Sequence, residues 1–245
     1  MIGRAILAVF LAVSVSPLWA RPDARQVWEE SVRLFSRDNV RFLVHATVEK
    51  EGGTQRRTFL VARHEGGEEK DLLIRFLAPS TLECTAILTR QREDAAQTYV
   101  YFPSIGRVRI VPRSKENREA VGLGISYADL HDSGGRFAPL EVLEREGRKL
   151  YRVVRMDGRG GKRVYTIDAA TKTLKRIEIY EKGEMVREVV IERTGEVGGR
   201  PMVLAWRVVD RARHRTLRFR VDPSSVSSEI SASAFRTNRL KRCSS

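Results

Sequence analysis

The segment "TLRFRVD", residues 216–222, sets Leu217, Phe219 and Val221 on one side of an extended chain and Arg218 and Arg220 on the other, because strand side chains point alternately to opposite faces. The same habit, or a run of β-branched and aromatic residues, recurs in "RFLVHATVEK", "RTFLVARHE", "KDLLIRFLAP", "CTAILTRQ", "TYVYFP" and "GRVRIVP". It returns later in "KLYRVVRMD", "KRVYTID", "TLKRIEIYE", "EMVREVVIERT" and "PMVLAWRVVDRA". Turn signals such as "EGG", "PSIG", "GRGG", "EKG" and "EVGG" stand between them, rich in residues that turn at little cost. About a dozen antiparallel strands on short connections exceed what one flat open sheet sustains without curling or splitting. The sheet is therefore a barrel, a partial barrel or a sandwich, and a strongly curved sheet needs helices to fill or cover its hollow side.

Two stretches interrupt the strands. "DARQVWEESVRLFSRD" spaces Val27, Trp28, Ser31, Val32, Leu34 and Phe35 by threes and fours, which predicts an amphipathic helix of about four turns. Pro22 and Asp23 at its start suit the exposed amides of a first turn. Residues 114–147 lack strict alternation and hold several glycines. There "SYADL" and "APLEVLERE" are read as short helices packed over the sheet, the first with a capping-box spacing from Ser126 to Asp129.

The N-terminus, "MIGRAILAVFLAVSVSPLWA", has a positive start at Arg4, an apolar run from Ala5, a helix-breaking Pro17 and a small residue, Ala20, at a cleavage position. It reads as a secretory signal peptide over residues 1–20, with an uncleaved anchor as the alternative, and residues 21–245 read as one domain. An exported protein does not meet chromosomal nucleic acid, which weakens the first implication of a formal charge of +14. The arginines are scattered along almost every segment, a pattern that belongs first to the solvated face of a sheet. An anion-binding surface is the second reading. The two cysteines, Cys84 and Cys243, are too few for a disulfide scaffold, and whether they pair stays open.

The chemistry of the chain points away from catalysis. His131, Asp132 and Ser133 are consecutive in "LHDS", and neighbours in sequence do not converge on one substrate atom. There is no G-x-S-x-G elbow. His45, His64, His131 and His214 stand singly, without the paired spacing of a zinc site. "GLG" and "GRGG" lack the strand and helix of a dinucleotide fingerprint, so neither metal nor cofactor is expected. In "AQTYVYFPSIGRVRIVPR", residues 96–113, Tyr99 and Tyr101 share one strand face and Val100 and Phe102 the other. A strand apolar on both faces is buried on both, unlike the one-sided aromatic platform of a nucleic-acid module. What remains is a binding module with an apolar hollow.

The order of several motifs resembles the LolA-like family of outer membrane lipoprotein-sorting proteins, in particular the branch found beside large exporters. The motifs are the aromatic strand Tyr99 to Pro103 with "SIGRVRI", then "GLGISYADL" at 122–130, "YTIDAATKTLKRIEIY" at 165–180, "DRARHRTL" at 210–217 and "AFRTNRL" at 234–240. The resemblance covers roughly residues 25 to 240. It implies a mainly β fold, a strongly curved, incomplete antiparallel barrel with covering helices. It also implies a non-enzymatic periplasmic carrier that shields the acyl chains of a lipoprotein or lipid and hands them toward the outer membrane. On that reading Trp28 and Phe35 of the first helix, with Tyr127 and Leu130 of "SYADL", form a lid. Tyr99, Tyr101, Trp206, Leu217 and Phe219 line the cavity beneath it. An inner-membrane exporter or an anionic membrane surface would be the partner of a monomer. The alternative is a scaffold subunit of an envelope export complex, with the same sheet and a filled core.

Overall fold

The structure, a computed structural model, describes residues 22–35, 39–67, 69–93, 95–131, 134–158 and 160–243. The expected signal peptide, residues 1–20, lies outside the described residues. Helix α1 (Ala24–Phe35) leads into β1 (Val40–Lys50), β2 (Gly53–Gly66), β3 (Glu69–Ala78), β4 (Ala86–Arg92), β5 (Ala95–Phe102) and β6 (Arg107–Ile110). Residues 111–135 connect these to β7 (Arg136–Phe137), β8 (Glu141–Arg145), β9 (Arg148–Met156), β10 (Lys162–Asp168) and β11 (Leu174–Glu181). The last strands are β12 (Glu184–Val197), β13 (Arg200–Asp210) and β14 (Arg215–Val221).

The fourteen strands among the described residues form one sheet in the order β6-β5-β4-β3-β2-β1-β14-β13-β12-β11-β10-β9-β7, with β8 also on β9. Every pairing is antiparallel. The chain starts at the centre of the sheet, meanders out to β6, crosses to the opposite edge, and meanders back until β14 pairs with β1. In that closing pair Val44 faces Val221 and Lys50 faces Arg215. β6 and β7 do not pair with each other, so the sheet stays open.

Because the crossing segment must travel from one edge to the other, it spans the hollow side, where Ala120 and Leu123 join the central apolar cluster. That cluster is built from cross-strand rows. Val61, Ile74, Ile87 and Val100 follow one another across β2 to β5, and Ala46 faces Phe219 in the β1–β14 pair. The alternation of "TLRFRV" holds: Leu217, Phe219 and Val221 are buried and Arg220 is exposed. Fully burying one such aliphatic or aromatic side chain contributes about 1.5–3 kcal/mol.

At Gly124 the crossing segment lies tightly against the sheet. Its φ is +73°, and an added Cβ would sit 2.8 Å from Leu217 Cδ1, so both backbone and space select glycine.

Of the two short helices expected in this region, one forms. Tyr127–Leu130 is a 3₁₀ turn, and the Ser126 amide and hydroxyl both donate to Asp129 Oδ2, at 2.8 and 2.6 Å. "APLEVLERE" is not a helix: Glu141–Arg145 is strand β8, antiparallel to β9. The reason is the turn that follows, since Arg145 pairs with Arg148 and leaves only Glu146 and Gly147 between them, with φ of +50° and +72°. Two left-handed residues make the two-residue hairpin whose twist matches a strand pair.

The outer face of β3 to β6 is covered by the C-terminal tail. Two 3₁₀ turns, Ala232–Phe235 and Thr237–Lys241, bury Phe235 and Leu240 against Leu73 and Leu88, with Tyr99 and Tyr101 packed beside them. The Arg75 guanidinium, itself buried, donates to the carbonyls of Arg239 and Leu240 at 3.3 and 3.5 Å. The cysteine question is answered here: Cys84, in the β3–β4 connection, is joined to Cys243 in a disulfide, with Cα atoms 4.9 Å apart. A cross-link between residues 159 apart removes much of the freedom of the unfolded chain. Replacing both cysteines by serine is expected to lower the unfolding free energy by about 2–4 kcal/mol, read by urea denaturation. An unchanged midpoint and slope would show that the tail holds without its clamp.

Candidate functional site

Helix α1 begins where Asp23 Oδ2 accepts from the amides of Arg25 and Gln26, at 3.1 and 3.3 Å. Its inner face puts Ala24 and Val27 in a cluster with Val153, Tyr165 and Ile167. Trp28 extends this contact. Its ring lies 5.5 Å from Phe137 and 6.2 Å from Tyr165, with the Arg155 guanidinium 4.7 Å above it. The helix is therefore fixed to the β9–β11 side of the sheet, and its next face, with Glu29 and Val32, looks into a cavity of about 1340 Å³.

One apolar row that ends beneath the helix crosses five strands: Val208 faces Val189, Val189 faces Ile177, Ile177 faces Tyr165, and Tyr165 faces Val153. The first four of these line the cavity. Trp206 continues this wall, its ring stacked on Phe219 at 4.9 Å and 8°. The crossing segment adds Ile125, Ala128, Leu130 and His131, and β2 to β4 supply the remaining side. Residues from both halves of the sheet thus face one space, which places the curvature of the sheet around the cavity.

The crossing segment is fastened over this space by charge. Asp129 Oδ1 accepts from Arg163 of β10 at 2.6 Å, and Oδ2 from Arg187 of β12 at 2.9 Å. Burial alone would raise the Asp129 pKa, but the two guanidiniums and the Ser126 donors outweigh it and hold the carboxyl at about 2. Farther along, Glu119 accepts from Arg215, which also donates to the fully buried Asp210. Arg57 reaches the Gly122 carbonyl. The strap is tied to β2, β10, β12 and β14 by ionic or carbonyl contacts.

The residues expected at the site divide accordingly. Trp28, Leu130 and Trp206 line the cavity. Tyr127, Leu217 and Phe219 belong to the adjoining central cluster, Leu217 and Phe219 beside the wall as cross-strand partners of Val208 and Trp206. Tyr99 and Tyr101 do not join the cavity. They lie on the opposite face of β5, under the tail with Phe235 and Leu240, because alternation gives the hollow side of that strand to Val100 and Phe102. Phe35 ends helix α1, and its side chain lies outside the described residues.

The main apolar wall, Ile177, Val189 and Val208, was not singled out from sequence. Its signal was present as alternation in "RIEIYE" and as a β-branched run in "REVVIE". The partners of Asp129 had no local signal, being 34 and 58 residues away.

An open antiparallel sheet, one helix and a strap enclosing a cavity make up the LolA-like class of fold. A DUF1329 family protein from Desulfovibrio piger superposes with a TM-score of 0.79 at 16% identity, over 89% of this chain and 97% of that one. A domain from Vibrio parahaemolyticus, provisionally named an outer membrane lipoprotein-sorting protein domain, matches with TM-score 0.79 and 16% identity over 90% and 98%. A LolA superfamily protein from Nitrosomonas europaea matches with TM-score 0.71 and 12% identity over 89% and 99%. In sequence, residues 68–242 match a family model described as "-like: Uncharacterized protein", and the chain belongs to that family. No curated protein matches it.

The Asp129 carboxyl is depressed from an ordinary 3.8 to about 2, so its stabilisation is present above the unfolded value and is lost as pH falls through the folded one. Asp129→Asn leaves the buried Arg187 and the half-buried Arg163 guanidiniums poorly paired, a loss of about 3 kcal/mol near neutral pH. The gap to wild type is expected to narrow by about 2 kcal/mol on acidification to pH of about 2, followed by chemical denaturation at both conditions. A gap independent of pH would remove Asp129 as the charge that fastens the strap.

Proposed function

We propose that this chain is a carrier that takes acyl chains of a lipoprotein or another lipid into the cavity, shields them from water, and passes them on toward the outer membrane. The observation that carries this reading is the cavity of about 1340 Å³ beside helix α1, with its apolar row across β10 to β13. The volume exceeds the roughly 300–1,000 Å³ usual for small-molecule sites, and a scaffold with a filled sheet has no use for it. Each methylene moved from water to such a wall contributes about 0.8 kcal/mol. A long chain is then held firmly, and release requires the wall to move.

Trp28, Leu130 and Trp206 are the wall residues of this proposal, adjoined by Tyr127, Leu217 and Phe219. Helix α1 and the Tyr127–Leu130 turn serve as the lid. No chemical step is needed, so the protein acts without catalysis or cofactor. Two further observations support a place in the periplasm: the provisional name of the Vibrio parahaemolyticus relative and the Cys84–Cys243 disulfide, which persists in oxidising compartments. The signal-like N-terminus is consistent with both.

Val32 is half-buried on helix α1 and lines the cavity, outside the apolar clusters of the core. Val32→Arg places a charge against the bound chain and is expected to weaken uptake of an acylated peptide by about tenfold, with an unchanged circular dichroism spectrum. Native mass spectrometry of wild type from a periplasmic extract is the companion measurement. Finding no co-purified lipid, together with no uptake of acylated peptide, would sink the carrier.

A further inference from the structure

The two walls of the cavity differ in chemistry. On β2 to β5 the row Val61, Ile74, Ile87 and Val100 is wholly apolar. One step farther along the same face, Arg63 faces Leu72, Leu72 faces Thr89, and Thr89 faces Thr98. The step after that sets Glu65 opposite Lys70, and Lys70 opposite Gln91. Arg63, Glu65, Lys70, Thr89 and Gln91 all line the cavity.

These polar residues are on the hollow side of the sheet. Val61 and Leu72 pack into the central cluster, while their neighbours Ala62 and Leu73 pack outward beneath the tail. Strand alternation therefore turns Arg63, Glu65, Lys70, Thr89 and Gln91 toward the same side as the Val61, Ile74, Ile87 and Val100 row. A receptacle for bare hydrocarbon would continue the valine and isoleucine row, because a charged or hydrogen-bonding lining costs desolvation that hydrocarbon cannot return.

The charges on this wall do not balance. The Glu65 carboxylate is shared by two cations, with Arg63 Nη2 at 3.2 Å from Oε2 and Lys70 Nζ at 3.0 Å from Oε1. Two cations thus share one carboxylate on this wall, while the facing wall carries the apolar row of Val208, Val189 and Ile177, with Arg163 beside it paired to Asp129.

We infer that the cavity receives an amphiphile together with its head: the chain lies on the β11–β13 row, and an anionic phosphate or carboxylate head lies against Arg63 and Lys70. The inference rests on the carrier reading and adds the ligand's chemical class to it.

Trp28 and Trp206 stand in the wall, so intrinsic fluorescence reports occupancy. Dodecyl phosphate, dodecanoate and a neutral monoacylglycerol of the same chain length are titrated into the full chain below their aggregation limits. The anionic ligands are expected to bind about tenfold tighter than the neutral one, as for a charge-assisted hydrogen bond, and the tighter of the two identifies phosphate or carboxylate. The double variant Arg63→Gln with Lys70→Gln loses this preference and binds charged and neutral ligands alike. Lys70→Gln alone, at a side chain 48% exposed, leaves the fold untouched and loses part of the preference, about threefold. Equal binding of charged and neutral ligands by wild type, or a preference that survives in the double variant, overturns the inference and leaves the carrier standing. Binding of none of the three overturns the carrier as well.

Discussion

The pairing of β1 with β14 joins the start of the meander to its end, and every other feature of the molecule is arranged around that junction. Bringing together strands so far apart in sequence costs loop-closure entropy that no local contact returns. It is offset by the row of Val44, Ala46 and Val48 against Val221, Phe219 and Leu217. With the first and last strands at the centre of the sheet, its edges are the strands from the middle of the chain, β6 and β7. The connection between them then has to cross the hollow, so the topology that closes the centre also creates the strap.

Residues 111–131 cover an apolar surface with no regular element longer than a short 3₁₀ turn, and they do so by borrowing fixed points from the sheet. Gly124 lets the backbone lie on Leu217. Asp129 places a carboxylate between arginines of two strands, and Glu119 does the same beside Arg215. Buried ion pairs contribute little net stability against an apolar alternative, yet they are strongly penalised when a partner is lost. Such contacts specify where a loop sits more than they strengthen the fold. The cavity persists because the strap and helix α1 are held at this height and do not collapse onto Val189 and Trp206.

Much of this was legible in the chain. The alternation in "TLRFRVD" survives unchanged as the wall of the core, and the helix with its Asp23 start and the Ser126–Asp129 cap form where expected. The reading of "APLEVLERE" as helix failed because the apolar spacing there fits either structure, and the Glu146–Gly147 turn decided for a hairpin. Tyr99 and Tyr101 were correctly placed together on one face of a doubly buried strand, but that face belongs to the tail and not to the cavity. Alternation says which residues share a side. It does not say what covers that side.

The sequence alone determined the strand count to within a few, the half-buried character of each strand and the single leading helix, because these follow from spacings of two, three and four residues. Only the tertiary structure decided which faces meet: the tail over Tyr99, Asp129 between Arg163 and Arg187, Cys84 with Cys243, and a polar wall at Arg63 and Lys70 opposite an apolar one at Val189. Those contacts join residues tens to more than a hundred positions apart. Their partners are chosen by the path of the whole chain around its central strand pair, which no local pattern encodes.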